Sequence, residues 1–148
     1  VAKNDSLQSL SSWMATSQPP AQPSLTKNLR TQVCVIGGGI AGITTAYLLA
    51  QQGKKVVLLT AGEVGGSNAN TARTTAHLSN AVDDRYTEIE RLHGQENSRL
   101  VAQSHTAAIS KIEAIAETEG IECDFERVDG YLFTPPGESS ESLYRELE

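Results

Sequence analysis

With 148 residues, 39% of them hydrophobic, the chain can bury one ordinary domain core and has no room for a second full domain. Twelve basic against eighteen acidic residues give a formal net charge of -6 and a pI near 5.1, which argues against duplex nucleic acid or an anionic membrane as the main partner and for a small molecule. Cys34 and Cys123 form no C-x-x-C pair or Cys/His cluster, no apolar run approaches the ~18–20 residues of a bilayer span, and no basic region followed by an apolar core opens the chain, so a reducing, cytoplasmic setting is expected.

Residues 1–30, with "SSWMATSQPPAQPSL", are rich in Ser, Gln, Ala and Pro without a steady period and predict an extended arm, with Trp13 as its one large anchor. From Gln32 the pattern changes. Val33, Cys34, Val35 and Ile36 make a short apolar run ended by glycine, as expected of a strand buried on both faces, with Cys34 a small core residue. Gly37, Gly39 and Gly42 follow with G-x-G-x-x-G spacing, and Ile40 to Gln52 carry a helical period stopped by Gly53. A second apolar strand, Val56 to Leu59, completes a β-α-β unit. Alone, the glycines would mark any tight turn; between a strand and a helix they predict a Rossmann-like α/β fold that binds a dinucleotide. Gly37 permits the sharp turn, Gly39 leaves room for a pyrophosphate, and Gly42 allows the helix to pack closely on the strand. Ile40 and Ala41 open that helix, whose first N–H groups face the phosphate charge.

Thr60 stands at the end of the second strand, eighteen residues past Gly42, where this motif ordinarily has an acid for the ribose. A hydroxyl can bond to the ribose but without charge assistance, which roughly doubles such a bond's strength. Ala61 follows it, and the nearest acid is Glu63. No arginine stands beside Thr60, which argues against adaptation to a 2′-phosphate. The polar segment "AGEVGGSNANTARTTAHLSN" is too long for an ordinary connection. It is either a solvated loop or one that wraps a larger cofactor with hydroxyl and backbone donors.

Beyond it, Asp83 or Asp84 is expected to cap a helix through Ile89 and Leu92 that breaks near His93 and Gly94. A second helix carries the apolar stripe Leu100, Val101, Ala108, Ile109, Ile112 and Ile115 and stops at Gly120. His105, at the stripe's edge, is expected to be structural, and Glu90, Arg91, Lys111 and Glu117 a solvated face. "CDFERV" and "GYLF" around Asp129-Gly130 predict a hairpin. A last amphipathic helix with Leu143, Tyr144 and Leu147 runs to the end of the sequence, which suggests a fragment of a longer protein.

Taken together, "VCVIGGGIAGITTAYLLAQQGKKVVLLTAG", "TARTTAHLSN", "DDRYTEIERLHG" and "FERVDGYLF" resemble the N-terminal part of FAD-dependent oxidoreductases of the D-amino-acid dehydrogenase and glycine oxidase superfamily, most of all members with a C-terminal Rieske domain. The resemblance runs from about Ser11 to the end. It implies FAD as cofactor and oxidation of an amine or amino-acid C–N bond by hydride transfer to the flavin. Gly37, Gly39 and Gly42 match the pyrophosphate turn of these enzymes, and Arg73, Thr74, Thr75 and His77 match their flavin-side loop. Thr60 departs from their usual glutamate. The resemblance further implies an arm over 1–30, an FAD-binding portion over 31–120 and the start of a substrate-domain sheet over 121–148, with an electron-accepting Rieske domain outside this chain. No catalytic base and no metal ligand is assigned. The rival reading is a non-catalytic nucleotide-binding or structural module complete at this length.

Overall fold

The apolar run Val33–Ile36, β-branched at every position but Cys34, forms strand β1, and Val56–Leu59 forms β2. The computed structural model describes residues 11–17, 19–65, 70–137 and 139–147. The chain divides into two compact units, one ending at Ala76 and the other beginning at His77.

In the first unit the strands pair in parallel, Val33 opposite Val56 through to Ile36 opposite Leu59. Helix α2, Ile40–Gln51, connects them and packs on both. This is the expected β-α-β unit. At its end Gly53 takes φ +74, its N–H bonding the Ala50 carbonyl at 2.9 Å and that of Lys54 the Leu49 carbonyl at 3.1 Å. These two bonds satisfy carbonyls that the last turn of a helix otherwise leaves open.

Burial corrects two expectations. Val33 and Val35 are half-buried, but Cys34 and Ile36 are exposed, Ile36 by 84%, so β1 alternates instead of being buried on both faces. Side chains of a strand point alternately to opposite faces, and both faces are buried only where a layer covers each. Here α2 covers one. The arm is also not wholly extended: Ser12–Thr16 form a single helical turn, α1, with the Ser11 side chain accepting the Met14 N–H at 3.3 Å. One turn is too short to show a period in sequence.

The second unit is helical. Helix α3, Arg85–His93, breaks at Gly94, φ +81, and α4, Gln95–Thr118, packs back against it. Ser98, 6% exposed, donates its hydroxyl to the Tyr86 carbonyl at 3.3 Å. Val101, Ile109, Ile112 and Ile115 are half-buried as the stripe predicts, whereas Leu100 and Ala108 face solvent. Glu90, Arg91, Lys111 and Glu117 are exposed as expected, and so is His105, which therefore does not pack. Gly120 takes φ +63 and ends α4 where the sequence places the stop. Among the described residues no helix is long and apolar enough to cross a membrane.

Two further expectations are overturned here. Asp84 occupies the N-cap of α3 but makes no side-chain capping bond. The capping carboxylate is Glu146, from helix α5, Glu141–Leu147, which accepts the N–H groups of Tyr86 at 2.7 Å and Thr87 at 3.0 Å. Residues 121–135 form no strand, and Val128, Tyr131 and Phe133 are 72–83% exposed, so the hairpin and the sheet it would begin are not formed. A lone two-stranded ribbon is marginal in water because it buries too little of either face. Instead Arg127 forks onto Glu113, at 2.9 Å from Nε, and its Nη2 reaches the Ser110 hydroxyl at 3.1 Å, tying this segment to α4.

Glu146 makes the second unit acid-sensitive. Partial burial works to raise its pKa, but the Tyr86 and Thr87 donors prevail and hold it below the ordinary glutamate range. A lowered folded value means that the contribution is complete above the unfolded glutamate pKa and is lost as pH falls through the folded one. Glu146→Ala is expected to destabilise the protein by about 1 kcal/mol near neutral pH, as loss of a helix cap does. The deficit should vanish in acid. Urea unfolding of parent and variant at both pH values measures it, and an equal deficit at both would show that the charge is not what caps α3.

Candidate dinucleotide site

The turn between β1 and α2 assigns a separate task to each glycine. Gly37 leaves the strand at φ +111, a conformation that side chains disfavour, while its N–H continues the ladder to the Leu59 carbonyl at 2.8 Å. Gly42 faces back onto it: a Cβ built there would lie 1.9 Å from the Gly37 carbonyl oxygen and 3.6 Å from Leu58 Cδ1. The close approach of helix and strand therefore depends on Gly42 having no side chain. Gly39 differs, since it is the N-cap of α2 at φ -85, and a Cβ there would meet only the Thr71 hydroxyl, at 3.4 Å. The space over the start of the helix is open.

That space suits an anion. The first four N–H groups of a helix have no intrahelical acceptor, here those of Gly39, Ile40, Ala41 and Gly42. Gly39 has no side chain to cap them, and the first turn contains no acidic residue to offset the positive end of the helix dipole. Ile40 and Ala41 are exposed. The Thr71 hydroxyl accepts the Ile40 N–H at 3.0 Å. A cradle that a Cβ would fill, over a helix start to which Gly39 supplies no cap and at which Thr71 takes one N–H, fits a pyrophosphate.

Two loops border the turn. Thr60 lies over Gly38, whose Cβ would come within 3.0 Å of the Thr60 hydroxyl and 3.3 Å of Val64 Cα. The chain after Thr60 folds back, with the Gly65 N–H on the Gly38 carbonyl at 2.8 Å. Thr60, Ala61 and Glu63 are exposed along this returning segment. The second loop contains the 3-10 turn Asn70–Arg73, which presents Thr71. Arg73, Thr74 and Thr75 continue it, all exposed. Thr74 accepts the Ala76 N–H at 3.2 Å and offers its carbonyl to Trp13 Nε1 at 2.8 Å. His77 belongs to the second unit and is exposed. The structure thus gathers Gly37, Gly39, Ile40, Ala41 and Gly42 in one turn and sets Thr60 over it, at Gly38. Sequence reasoning missed Gly38 and Thr71. A fourth glycine inside the motif was the available signal for the first; nothing in "NTARTT" distinguishes Thr71 from its neighbours.

The sequence profile of the FAD dependent oxidoreductase family matches residues 32–148. The chain belongs to that family. The family is FAD-dependent, which agrees with a cradle for a dinucleotide pyrophosphate. Over 136 residues, 92% of this chain and 26% of the other, it is 35% identical to YhfW of Bacillus subtilis, whose name describes a Rieske 2Fe-2S iron-sulfur protein. It is 28% identical over 117 residues to gamma-glutamylputrescine oxidoreductase of Escherichia coli, covering 78% of this chain and 27% of the relative. A 35-residue stretch is 54% identical to D-proline dehydrogenase of Pyrobaculum islandicum, covering 24% of this chain and 10% of that protein. The chain spans about a quarter of the length of the first two of these curated relatives. No solved structure gives a significant match.

Proposed function

We propose that this chain is the N-terminal, FAD-binding part of a flavoenzyme that oxidises the C–N bond of an amine or amino acid. The observation that carries the reading is the open side of Gly39 above an N-terminus with neither a cap nor an acid of its own. When bound, FAD supplies the group that accepts the hydride. The chain's own part is to hold and orient it: Gly37 and Gly42 set the turn, Gly39, Ile40 and Ala41 face the pyrophosphate, and Thr60 and Ala61 lie toward the ribose. Arg73, Thr74, Thr75 and His77 are proposed for the flavin side. Residues 31–120 then belong to the cofactor domain, and 121–148 lead into a substrate domain. The names of the relatives, one an oxidoreductase of a putrescine derivative and one a dehydrogenase of D-proline, support an amine or amino-acid substrate. A Rieske centre outside residues 1–148 is the proposed electron acceptor, on the name of the Bacillus relative.

The ribose contact supplies the test. If the end of β2 faces the ribose, Thr60→Glu replaces a neutral hydrogen bond by a charged one, a gain of about 1 kcal/mol, somewhat under tenfold in affinity. FAD titrated into the full-length apoprotein should show it. Because the chain after Thr60 folds back on Gly38, Glu63 is the competing carboxylate. Should Glu63 already reach the ribose, Thr60→Glu would weaken binding by crowding like charges, and Glu63→Ala would weaken it too. Three equal affinities would place the ribose elsewhere, and a purified full-length protein that takes up no FAD would overturn the reading.

A further inference from the structure

Ser11 and Trp13 are joined to a segment 61 residues further along by two hydrogen bonds in the same register. The Ser11 hydroxyl donates to the Ala72 carbonyl, and the Trp13 indole Nε1–H donates to the Thr74 carbonyl at 2.8 Å. Two bonds two residues apart on each side fix both the position and the direction of the later segment. Ala72 is 4% exposed, the one hydrophobic residue among those described that is buried, in the turn that α1 packs on. Between Ala72 and the cradle stands Thr71, whose hydroxyl takes the Ile40 N–H at 3.0 Å and lies 3.4 Å from where a Gly39 side chain would begin.

We infer that α1 is a clip for the cofactor cradle, in which Ser11 and Trp13 are positioning residues: they grip the carbonyls of Ala72 and Thr74 and so hold Thr71 against the first turn of α2. The inference rests on the FAD reading above. Neither residue touches the cradle itself. Their effect passes through Thr71, because Arg73, Thr74 and Thr75, which follow it, are exposed and the turn's buried residue, Ala72, lies where α1 packs. With the clip open, the cradle must be ordered when the dinucleotide binds, and affinity falls by that cost.

The test uses the full-length flavoprotein with Trp13→Phe, which keeps an aromatic ring and removes the indole donor, together with Ser11→Ala and Ser11→Thr. FAD release on dilution, followed by flavin fluorescence, should be about fivefold faster in Trp13→Phe and in Ser11→Ala, the value of one ordinary hydrogen bond. Ser11→Thr, which restores the hydroxyl, should return to the parent rate. In the apoproteins the Ile40 amide should exchange with solvent faster in the two weakened variants. If α1 merely packs, those variants would melt earlier with and without flavin while release and Ile40 exchange stayed at parent values, and the clip would be refuted. Failure of the cofactor reading has a different signature: a parent protein whose flavin is unaffected by Gly39→Val, in which case the inference falls with it.

Discussion

Gly42→Ala is expected to disrupt the fold of the first unit, although it adds a single methyl group. That methyl would stand 1.9 Å from the Gly37 carbonyl oxygen, and both positions belong to backbone that α2 and β1 hold in place. No side chain can rotate to relieve the overlap. The helix must move off the strand, which breaks the contacts of α2 with both strands. Overpacking of a tight site costs about 1–3 kcal/mol when neighbours can adjust and more when they cannot, so a loss of about 3 kcal/mol or more is expected. Against a whole-domain stability of ~5–15 kcal/mol this is a large fraction. Thermal unfolding of the full-length apoprotein measures it, and a midpoint within a degree of the parent would mean that helix and strand stand further apart than a 1.9 Å Cβ approach implies.

Gly39→Val is expected to do the reverse: leave the fold and remove the flavin. The backbone at Gly39 has φ -85, which any residue adopts, and a Cβ there has only the Thr71 hydroxyl within reach, at 3.4 Å. Valine therefore enters open space, and its poorer fit to an N-cap position costs on the order of 1 kcal/mol, too little to unfold a domain of ~5–15 kcal/mol stability. That space is where the proposed pyrophosphate meets the first N–H groups of α2. A branched side chain in van der Waals conflict with the phosphates should weaken FAD by on the order of a hundredfold or more, about 2.7 kcal/mol. The absorbance spectrum of the purified variant reports flavin content directly, and its far-ultraviolet circular dichroism reports the fold. Parent-level flavin in a folded Gly39→Val protein would show that the cofactor does not lie over this helix. The paired outcome matters more than either alone, because Gly42 and Gly39 are three residues apart and only their surroundings set them in opposite roles.

What the sequence determined by itself is local. The strand, glycine turn, helix and second strand were legible because short apolar runs, a 3.6-residue period and a stop glycine are written in consecutive residues. The stops at Gly53, Gly94 and Gly120 were legible for the same reason, each being a positive-φ residue at a helix end. Tertiary structure decided what joins residues far apart. Glu146 caps α3 across about sixty residues, where Asp83 or Asp84 was the local expectation, because a carboxylate from α5 reaches the free N–H groups and Asp84, at the N-cap, makes no side-chain capping bond. Cys34 proved exposed because burial of a strand face depends on a covering layer and not on the apolar character of the strand. The hairpin signal at Asp129-Gly130 was not realised, since a turn preference cannot hold two strands that bury little beyond half of Phe125 and Thr134. Thr71 entered the site, and Ser11 and Trp13 came to stand behind it, only when the chain folded back, because no spacing rule says which hydroxyl of a polar loop will meet a helix start 31 residues earlier.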